Sequence, residues 1–465
     1  MSLDRSIARP GLSGLSSARE WNKFAQHVNT MWNTKAGPGL KLTKGEPWLL
    51  EYTADGGDAP ITTWFNDTAV HVFVWRDDAW DYGSESPPLA FFVSGAFTTL
   101  NEISTLRLAK IVKGSTGASA RATAFCDRMD WTAATSLFSK NKDNTEQLFI
   151  GSQFANSYEG GDNYNAHLLN WETGEQDANW TGANCTFPTM GMVSIASVAG
   201  RLLIHDYFQL LSVDLSGVVQ NTHVSSGGMN MHYLHNDGVN AYLACAWTAT
   251  GGYSGSLNPQ GLRKLNANGS QDGAWVAAAG VGSECGCYFG TLPNFELWDA
   301  GDTNIYVGAD LSYGNALNWN GVEFGFNNEQ KDGGIMKVSS LGAAAGTPLG
   351  IATSGQHVWA FCKSPAGEVW FGYGIALMET ASQPAFNTVP LKLYKYNEAT
   401  DTATYFDGFE PDAFVIDCQY FSTVDGVQQF IVVGTFTSYK GEPAERIVFI
   451  DQDGNRLTDL IWPDY

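Results

Sequence analysis

The chain has 465 residues and a formal net charge of -22, from 26 basic and 48 acidic residues. Because this large acidic excess repels a phosphate backbone, nucleic acid is excluded as an expected partner. The seven cysteines lack regular spacing, so we expect buried free thiols rather than a disulfide framework. No apolar run is long enough to cross a membrane, and the first residues lack a signal-peptide profile, so we expect synthesis in a cytoplasm.

The composition favours a protein built from strands and turns. Glycine occurs 51 times, aromatic residues make up 13% of the chain, and charged residues only 16%. Aromatic residues pack well on pleated sheets, and glycine is the usual residue of tight turns. We therefore predict an all-β fold.

The N-terminal region reads as an arm followed by one amphipathic helix. Residues 1–16 are rich in small residues and should be extended on their own. A capping box at residues 17–20 begins the helix, and Gly-Pro-Gly at residues 37–39 ends it. Its apolar stripe consists of Trp21, Phe24, Val28, Met31 and Trp32. The stripe packs either on the protein's own sheets or on a neighbouring subunit, and we assign residues 1–47 to anchoring.

A short motif recurs through the remaining residues, 48–465. It reads apolar, apolar, any residue, glycine, any residue, aromatic, and its loosely aligned anchors are Gly95, Gly151, Asp206, Cys245, Gly308, Gly372 and Gly434. A second motif, Asp-x-x-Trp, ends at Trp180, Trp275 and Trp462. Another apolar run precedes most anchors, so each unit offers at least three short strands.

A period of about 40 to 65 residues with three or four strands is typical of a β-propeller blade. We predict a seven-bladed propeller, with six or eight blades as alternatives because the units at Asp206 and Cys245 are irregular. Closure of the ring requires the chain ends to meet, since an unpaired blade would leave edge backbone groups exposed. Residues 457–462 should therefore join the first blade or pack beside residues 48–52.

Several of these segments resemble a known class of repeats. They are Val-Gly-Thr-Phe-Thr-Ser at 433–438, Ser-Gly-Ala-Phe-Thr-Thr at 94–99, the strands starting at Arg446 and Arg263, and the Asn-Gly-Ser-x-Asp-x-x-Trp segment ending at Trp275. They are similar to the delta-60 class of bacterial and phage β-propeller repeats. The arm, at residues 5–12 and 17–22, resembles the N-termini of tailed-phage virion proteins. These resemblances imply a structural or adhesive function and supply no catalytic residues.

The candidate chemical motifs all have plain structural interpretations. Residues 451–455 (Asp-Gln-Asp-Gly-Asn) begin like a calcium loop but lack its later glutamate, and Asp-Gly favours a hairpin turn. His232 and His235 would lie on opposite faces of a strand. Residues 252–256 lack the last glycine of a nucleophile elbow. The acid pairs, Asp77 with Asp78 and Glu410 with Asp412, read as solvated loop acids.

Aromatic residues in or beside polar loops are the better candidates for a binding surface. They are Trp75, Trp80, Tyr82, Trp247, Tyr253, Tyr313 and Trp319. Such rings stack on a sugar or fill a partner's pocket, although blade cores also use tryptophan. Both interpretations stay open.

The sequence therefore predicts a structural virion protein of a tailed phage, anchored to capsid or tail by its arm and projecting a propeller. We expect no enzyme activity, no cofactor and no metal. The expected partners are other virion proteins, with a host-surface glycan and a second copy of the chain as further candidates, and without membrane insertion. The alternatives are a glycan-binding adhesin and a propeller glycosidase or lyase.

Overall fold

The computed structural model describes residues 40–43 and 49–52 and, with gaps, residues 64–463. In some strands it describes the backbone alone. The longer gaps span residues 77–85, 124–135, 181–191, 246–260, 276–303, 340–356 and 375–391. The predicted arm, and the predicted helix with Trp21, Phe24, Val28, Met31 and Trp32, lie outside the described residues.

The described residues are mostly β, in line with the predicted fold class. The first hairpin pairs β1 (Leu40–Thr43) with β2 (Leu49–Tyr52) in antiparallel register. It crosses the predicted boundary between residues 47 and 48. That division into an anchoring region and a main domain stays a prediction.

The next strands along the chain are β3 (Ala69–Arg76), β4 (Pro88–Gly95), β5 (Thr99–Leu100), β6 (Ile103–Ser104), β7 (Leu108–Lys113) and β8 (Ala120–Thr123). Strands β3, β4, β7 and β8 form the first sheet in that order, and β5 pairs with β6 as a separate ribbon. The second sheet contains β9 (Ser136–Lys140), β10 (Gln147–Ser157) and β11 (Asn163–Asn170). Every pairing in both sheets is antiparallel.

The third sheet has four antiparallel strands, β12 (Met192–Val198), β13 (Arg201–Asp206), β14 (Gln209–Val213) and β15 (Val219–Val224). The fourth sheet has three, β16 (His232–Asn236), β17 (Ala241–Cys245) and β18 (Gly261–Leu265). Neighbours along the chain are neighbours in each sheet. This order is that of a meander, in which short turns join paired strands.

The following strands are β19 (Asn304–Gly308), β20 (Ala316–Trp319), β21 (Val322–Asn327), β22 (Gln330–Asp332) and β23 (Ile335–Ser339). Strand β19 pairs with β23, and β20 to β22 form a separate three-stranded sheet. The penultimate sheet contains β24 (His357–Lys363), β25 (Glu368–Gly374), β26 (Lys392–Asn397) and β27 (Thr402–Tyr405).

The last strands are β28 (Val415–Val424), β29 (Val427–Gly434), β30 (Ser438–Tyr439), β31 (Glu442–Pro443), β32 (Ile447–Asp451) and β33 (Arg456–Leu457). Strands β28, β29, β32 and β33 form the last sheet, and β30 pairs with β31 as a ribbon. The last unit therefore repeats the first, with four sheet strands and a ribbon between the second and third of them.

Central strands of the first and third sheets bury both of their faces. On β4, Phe91 packs with the last sheet, whereas Phe92 packs with the second sheet. On β13, Leu202 packs with the second sheet and Leu203 with the fourth. Side chains alternate along a strand, so an apolar run that is buried throughout needs a neighbouring sheet on each side. The first four sheets are therefore stacked in chain order.

The last sheet packs against the first sheet. Their shared core includes Phe91 from the first sheet and Phe421 and Ile431 from the last. The Trp462 ring stacks on Phe91, with centroids 6.4 Å apart, and meets Phe421 edge-on at 4.8 Å. The C-terminal segment thus packs on the first sheet through Trp462, while Leu457 pairs within the last sheet. The predicted seven-bladed ring stays a prediction.

Gly95 and Gly434 end their strands in the same way. The N–H of Gly95 donates to the carbonyl of Arg107 at 3.1 Å, and the N–H of Gly434 donates to that of Arg446 at 3.0 Å. Both arginines have left-handed backbone, with φ of 71° and 73°. A Cβ on Gly95 would lie 2.1 Å from the carbonyl oxygen of Thr68, so no larger residue fits there. The repeat found in the sequence is therefore also a structural repeat.

Candidate functional site: the junction of the first and last sheets

The first–last junction is the interface where β3 of the first sheet lies against β28 of the last. His71 and Asp417 occupy equivalent positions in these strands, each just after a register shift in the pairing with the next strand. Both side chains are buried. The Nδ1 atom of His71 lies 3.6 Å from a carboxylate oxygen of Asp417. Residues from the two ends of the chain thus form one buried polar pair.

Two side chains of β28 satisfy backbone donors on β3. The N–H of Val72 donates to the Asp417 carboxylate at 3.0 Å, and that of Val74 donates to the Gln419 side-chain oxygen at 3.0 Å. Strand β3 is an edge strand of its sheet, so these N–H groups have no ladder partner. A buried N–H without an acceptor is costly, and the β28 side chains remove that cost.

Arg76 lies at the C-terminal end of β3 and makes the last of these polar contacts with β28. Its guanidinium donates to the carbonyl oxygens of Tyr420 at 3.0 Å and Phe421 at 2.8 Å. The guanidinium carbon also lies 5.4 Å from the centre of the Tyr420 ring. A buried arginine supplies several donors in a fixed plane, which suits it to hold backbone carbonyls of a neighbouring strand.

Burial dominates the electrostatics of the His71–Asp417 pair. Burial raises the pKa of the Asp417 carboxyl, although the nearby His71 ring and the N–H groups of Val72 and Cys418 act in the opposite direction. The Nε2 atom of His71 is buried and has no hydrogen-bond partner among the described residues. An acid and a base that face each other in an apolar interface interact strongly, because little water screens them.

Gln429 fastens the C-terminal segment beside this junction. Its side-chain nitrogen donates to the carbonyl of Ile461 at 2.7 Å, and its side-chain oxygen accepts the N–H of Ile461 at 2.8 Å. Both groups of one amide side chain therefore bind one backbone residue. These two hydrogen bonds hold the segment that ends in Trp462 against the last sheet.

Similar side-chain contacts join the neighbouring sheets. The Ser139 hydroxyl of β9 accepts the N–H of Ser197 on β12 at 2.9 Å. The Lys140 ammonium donates to the carbonyl oxygen of Arg76, which links the second sheet to the first. The first–last junction is thus one of a series of polar contacts between the first strands of neighbouring sheets.

The turn at residues 451–455 is a hairpin turn, as the sequence predicts. One carboxylate oxygen of Asp451 accepts the N–H groups of Asp453 and Asn455, each at 2.8 Å. Gly454 has φ of 76°, which glycine adopts without strain. Both carboxylate oxygens of Asp451 therefore accept hydrogen bonds from within the turn.

Asp412 is an exposed loop acid, as the sequence predicts, and it also caps a turn. Its carboxylate accepts the N–H groups of Thr437 at 2.8 Å and Ser438 at 2.9 Å. Burial alone would raise the pKa of Asp412, but hydrogen bonds from Thr437 and Ser438 outweigh it and lower the pKa to about 2. Its predicted companion, Glu410, is exposed. Asp77 and Asp78 lie outside the described residues.

The described residues do not bring the candidate binding aromatics together, and the prediction for Trp75 needs correction. Trp75 is only 1% exposed, because it lies on β3 with its face towards the second sheet. Its ring stacks on Trp171 with centroids 5.4 Å apart. The prediction that it contacts a ligand is therefore wrong. The side chains of the other six candidates lie outside the described residues. They are Trp80, Tyr82, Trp247, Tyr253, Tyr313 and Trp319, and Trp319 is the last residue of β20.

The remaining motifs show no constellation within the described residues. His232 and His235 lie three residues apart on β16, and their side chains lie outside the described residues. No three histidine, cysteine, aspartate or glutamate side chains that are described approach closely enough to hold a metal ion. Cys418 is a buried free thiol, as predicted. The described part of the chain includes no helix of the length and apolarity that a membrane span requires.

Sequence reasoning missed the polar groups of the junction. His71 and Asp417 each interrupt an apolar run that precedes a glycine anchor, at residues 70–75 and 414–418. The signal was available, because a polar residue inside a doubly buried strand must find a partner. Its partner could not be named, since the two runs meet only after the whole chain has folded.

A scan of the chain against protein-family models found no match. A search of curated proteins also found none. Neither comparison supports the resemblance to delta-60 repeats or to virion N-termini, which stays a prediction.

A search of solved structures found chains of low similarity to this one. One is the GH74 enzyme of Niastella koreensis, with a TM-score of 0.44 at 9% identity over 85% of this chain and 54% of that one. Another is the WD40 domain of Neurospora crassa Pan2, with a TM-score of 0.35 at 12% identity over 69% of this chain and 76% of that one. A third is the extracellular domain of a B. thetaiotaomicron one component system, with a TM-score of 0.41 at 10% identity over 82% of this chain and 39% of that one.

The chain therefore spans less than half of the Bacteroides domain and little more than half of the Niastella enzyme. Scores and identities this low assign neither a family nor an activity to the chain.

Proposed function

We propose that this chain is a closed β-propeller that serves as a structural component of a tailed-phage particle. The observation that carries the proposal is the packing of the last sheet on the first, through Phe91, Phe421 and Trp462. A repeat protein whose last unit covers its first leaves no apolar face exposed at that point. Such a body is suited to serve as a rigid knob on a larger assembly.

Seven blades are the count that we propose. The count is supported by the seven anchors in the sequence and by the stacking of the first four sheets in chain order. It is also supported by the equivalence of the first and last units, which share the glycine anchor, the left-handed arginine and the inserted ribbon.

The virion role is supported by two resemblances. The segments at 94–99 and 433–438 are similar to delta-60 repeats, and residues 5–22 are similar to the N-termini of tailed-phage virion proteins. In this proposal, residues 1–47 fold against other virion proteins and the propeller projects outward. Folding coupled to binding suits such an arm, because the contact orders a segment that is extended alone.

The proposed role requires no covalent chemistry. This view is supported by the use that the fold makes of its described carboxylates. Asp412 and Asp451 accept backbone N–H groups in turns, and Asp417 accepts one across the first–last junction. Each of these acids has a structural task that explains its position.

Deletion of residues 1–35 tests the anchoring role. The truncated protein should keep the cooperative unfolding of the propeller but should no longer copurify with particles assembled in its presence. Normal incorporation of the truncated protein would contradict the proposal. Selective retention of one oligosaccharide class on a glycan array would instead favour the adhesin alternative.

A paired substitution test identifies the surface responsible. Trp21→Ala with Phe24→Ala removes part of the predicted apolar stripe, whereas Gln26→Ala with Asn29→Ala changes positions outside it. The first pair should abolish incorporation and the second should leave it unchanged. Equal effects of the two pairs would show that the predicted stripe is not the anchoring surface.

A further inference from the structure

We propose that the first–last junction is a proton-linked latch, which holds best while the His71–Asp417 pair carries one proton and loosens when the pair loses it. This inference concerns the packing of the two sheets and does not depend on the virion role. It rests on the position of the pair at an interface between distant parts of the chain. The junction is also the one place where the two ends of the sheet series must hold each other.

The geometry isolates the pair from water. His71 is 6% exposed and Asp417 is 7% exposed, and their facing atoms are 3.6 Å apart. Their neighbours at the junction are largely apolar, including Val72 and Phe421. Charges in such surroundings interact more strongly than charges at a surface, and an uncompensated one is costly.

The strands around the pair add few charged groups. On β4, Ser94 lies opposite His71 in the register, and on β29, Val433 lies opposite Asp417. Of the described side chains on β3 and β28, Arg76 carries the further charge, and its guanidinium is directed at the carbonyls of Tyr420 and Phe421.

Three further elements carry cationic residues near these strands. On β9, Lys140 donates to the carbonyl oxygen of Arg76 on β3. Strand β24 packs on β28 and has His357 and Lys363 at its two ends, with side chains outside the description. On β7, Lys110 is directed to the opposite face of the first sheet, where it donates to the carbonyl of Glu172. The His71–Asp417 pair is therefore the described proton-binding unit at the junction.

The number of protons on the pair sets its net charge. With one proton on the Asp417 carboxyl, as its raised pKa favours, the pair consists of two neutral groups and its net charge is zero. Without a proton it leaves a carboxylate buried against the N–H of Val72, with a net negative charge. A buried charge without a counter-charge destabilises the interface around it. Loss of the proton therefore weakens the contact between β3 and β28.

The direction of the pH effect follows from linkage. The folded protein holds the Asp417 proton more tightly than the unfolded chain does, because burial raises the pKa of this carboxyl above 3.8. The stabilisation is therefore fully present below the ordinary value and is lost as pH rises through the raised value. The junction should open more often as pH increases across that window.

Hydrogen exchange of the full chain, read by mass spectrometry, tests the latch. Peptides from residues 69–76 and 415–421 report on the junction, and peptides from residues 202–213 report on the third sheet as an internal control. After correction for the intrinsic pH dependence of exchange, the opening constant of the junction should rise by up to about tenfold per pH unit within the window. The third sheet should show no such rise.

Asp417→Asn removes the titrating acid and keeps an oxygen that accepts the Val72 N–H. Its junction peptides should lose the pH-dependent rise, whereas Asp412→Asn, in the same unit but away from the junction, should retain it. A flat profile for the wild-type junction would overturn the proposal, and so would an unchanged rise in Asp417→Asn. If Asp417→Asn does not fold, the wild-type comparison of the junction with the third sheet decides alone.

Discussion

Asn66 and Asp412 perform the same structural task at opposite ends of the described chain. The side-chain oxygen of Asn66 accepts the N–H groups of residues 98 and 99, at 2.9 Å and 3.1 Å. That of Asp412 accepts the N–H groups of residues 437 and 438, at 2.8 Å and 2.9 Å. The first unit thus uses a neutral amide where the last uses a carboxylate, so of these two caps only the one at Asp412 should respond to acid.

The first prediction concerns this difference in charge. The folded-state pKa of Asp412 is about 2, below its ordinary value of 3.8. Its stabilisation is therefore fully present above 3.8 and lost as pH falls towards 2. Asp412→Asn should lower the free energy of unfolding at pH 7, and the difference should disappear near pH 2. Urea unfolding at a series of pH values measures this.

The matched control for that series is Asn66→Asp, which places an acid at the equivalent position of the first unit. It should acquire a loss of stability in the same acidic window. A difference between Asp412→Asn and wild type that stays constant with pH would show that the Asp412 charge has no role.

The second prediction concerns the glycine anchor. Gly95→Ala should destabilise the fold by about 1–3 kcal/mol or more, because its Cβ would clash with the carbonyl of Thr68 and force the backbone to move. Gly273→Ala is the control, since nothing lies within 4 Å of a Cβ added there. Chemical denaturation compares the two variants. Equal stabilities would contradict the close approach at Gly95.

The third prediction concerns the C-terminal segment. Trp462→Ala should cost about 3–5 kcal/mol, because it empties a site between Phe91 and Phe421. Ile461→Ala is the neighbouring control, since Ile461 is 42% exposed, and it should change stability by less than about 0.5 kcal/mol. Thermal or urea unfolding gives both values. A mild effect of Trp462→Ala would place this ring outside the core.

The fourth prediction concerns the buried arginine. Arg76→Met keeps much of the side-chain volume but removes the donors to Tyr420 and Phe421, and it should cost about 1–3 kcal/mol. Arg201→Met, in the half-exposed first position of β13, should have little effect. The measurement is the free energy of unfolding at neutral pH. A neutral Arg76→Met would mean that water satisfies the two carbonyls.

Local pattern was enough to predict the strands and their turns. The anchors Gly95, Cys245, Gly308 and Gly434 each end a strand, because apolar runs and turn residues act over a few positions. The Asp-x-x-Trp motif also has a local cause, since the Asp272 carboxylate caps the N–H of Trp275 at 3.1 Å.

Contacts between distant segments could not be predicted in this way. The meeting of His71 with Asp417 depends on the stacking of the first and last sheets, which no short window of sequence records. The acidic residues after Trp75 suggest a loop there, whereas its strand continues to Arg76 and buries the ring. The capping role of Asp412 likewise depends on a turn 25 residues away.

A double-mutant cycle between Phe91 and Trp462 tests most directly the central claim that the last sheet packs on the first. The conservative substitutions Phe91→Leu and Trp462→Phe limit the risk of unfolding. The control is a second cycle that combines Phe91→Leu with Trp180→Phe, since Trp180 lies at the junction of the second and third sheets. Stacked rings predict a coupling free energy of about 0.5–1.5 kcal/mol for the first cycle and none for the second. Additive effects of Phe91→Leu and Trp462→Phe would contradict the account.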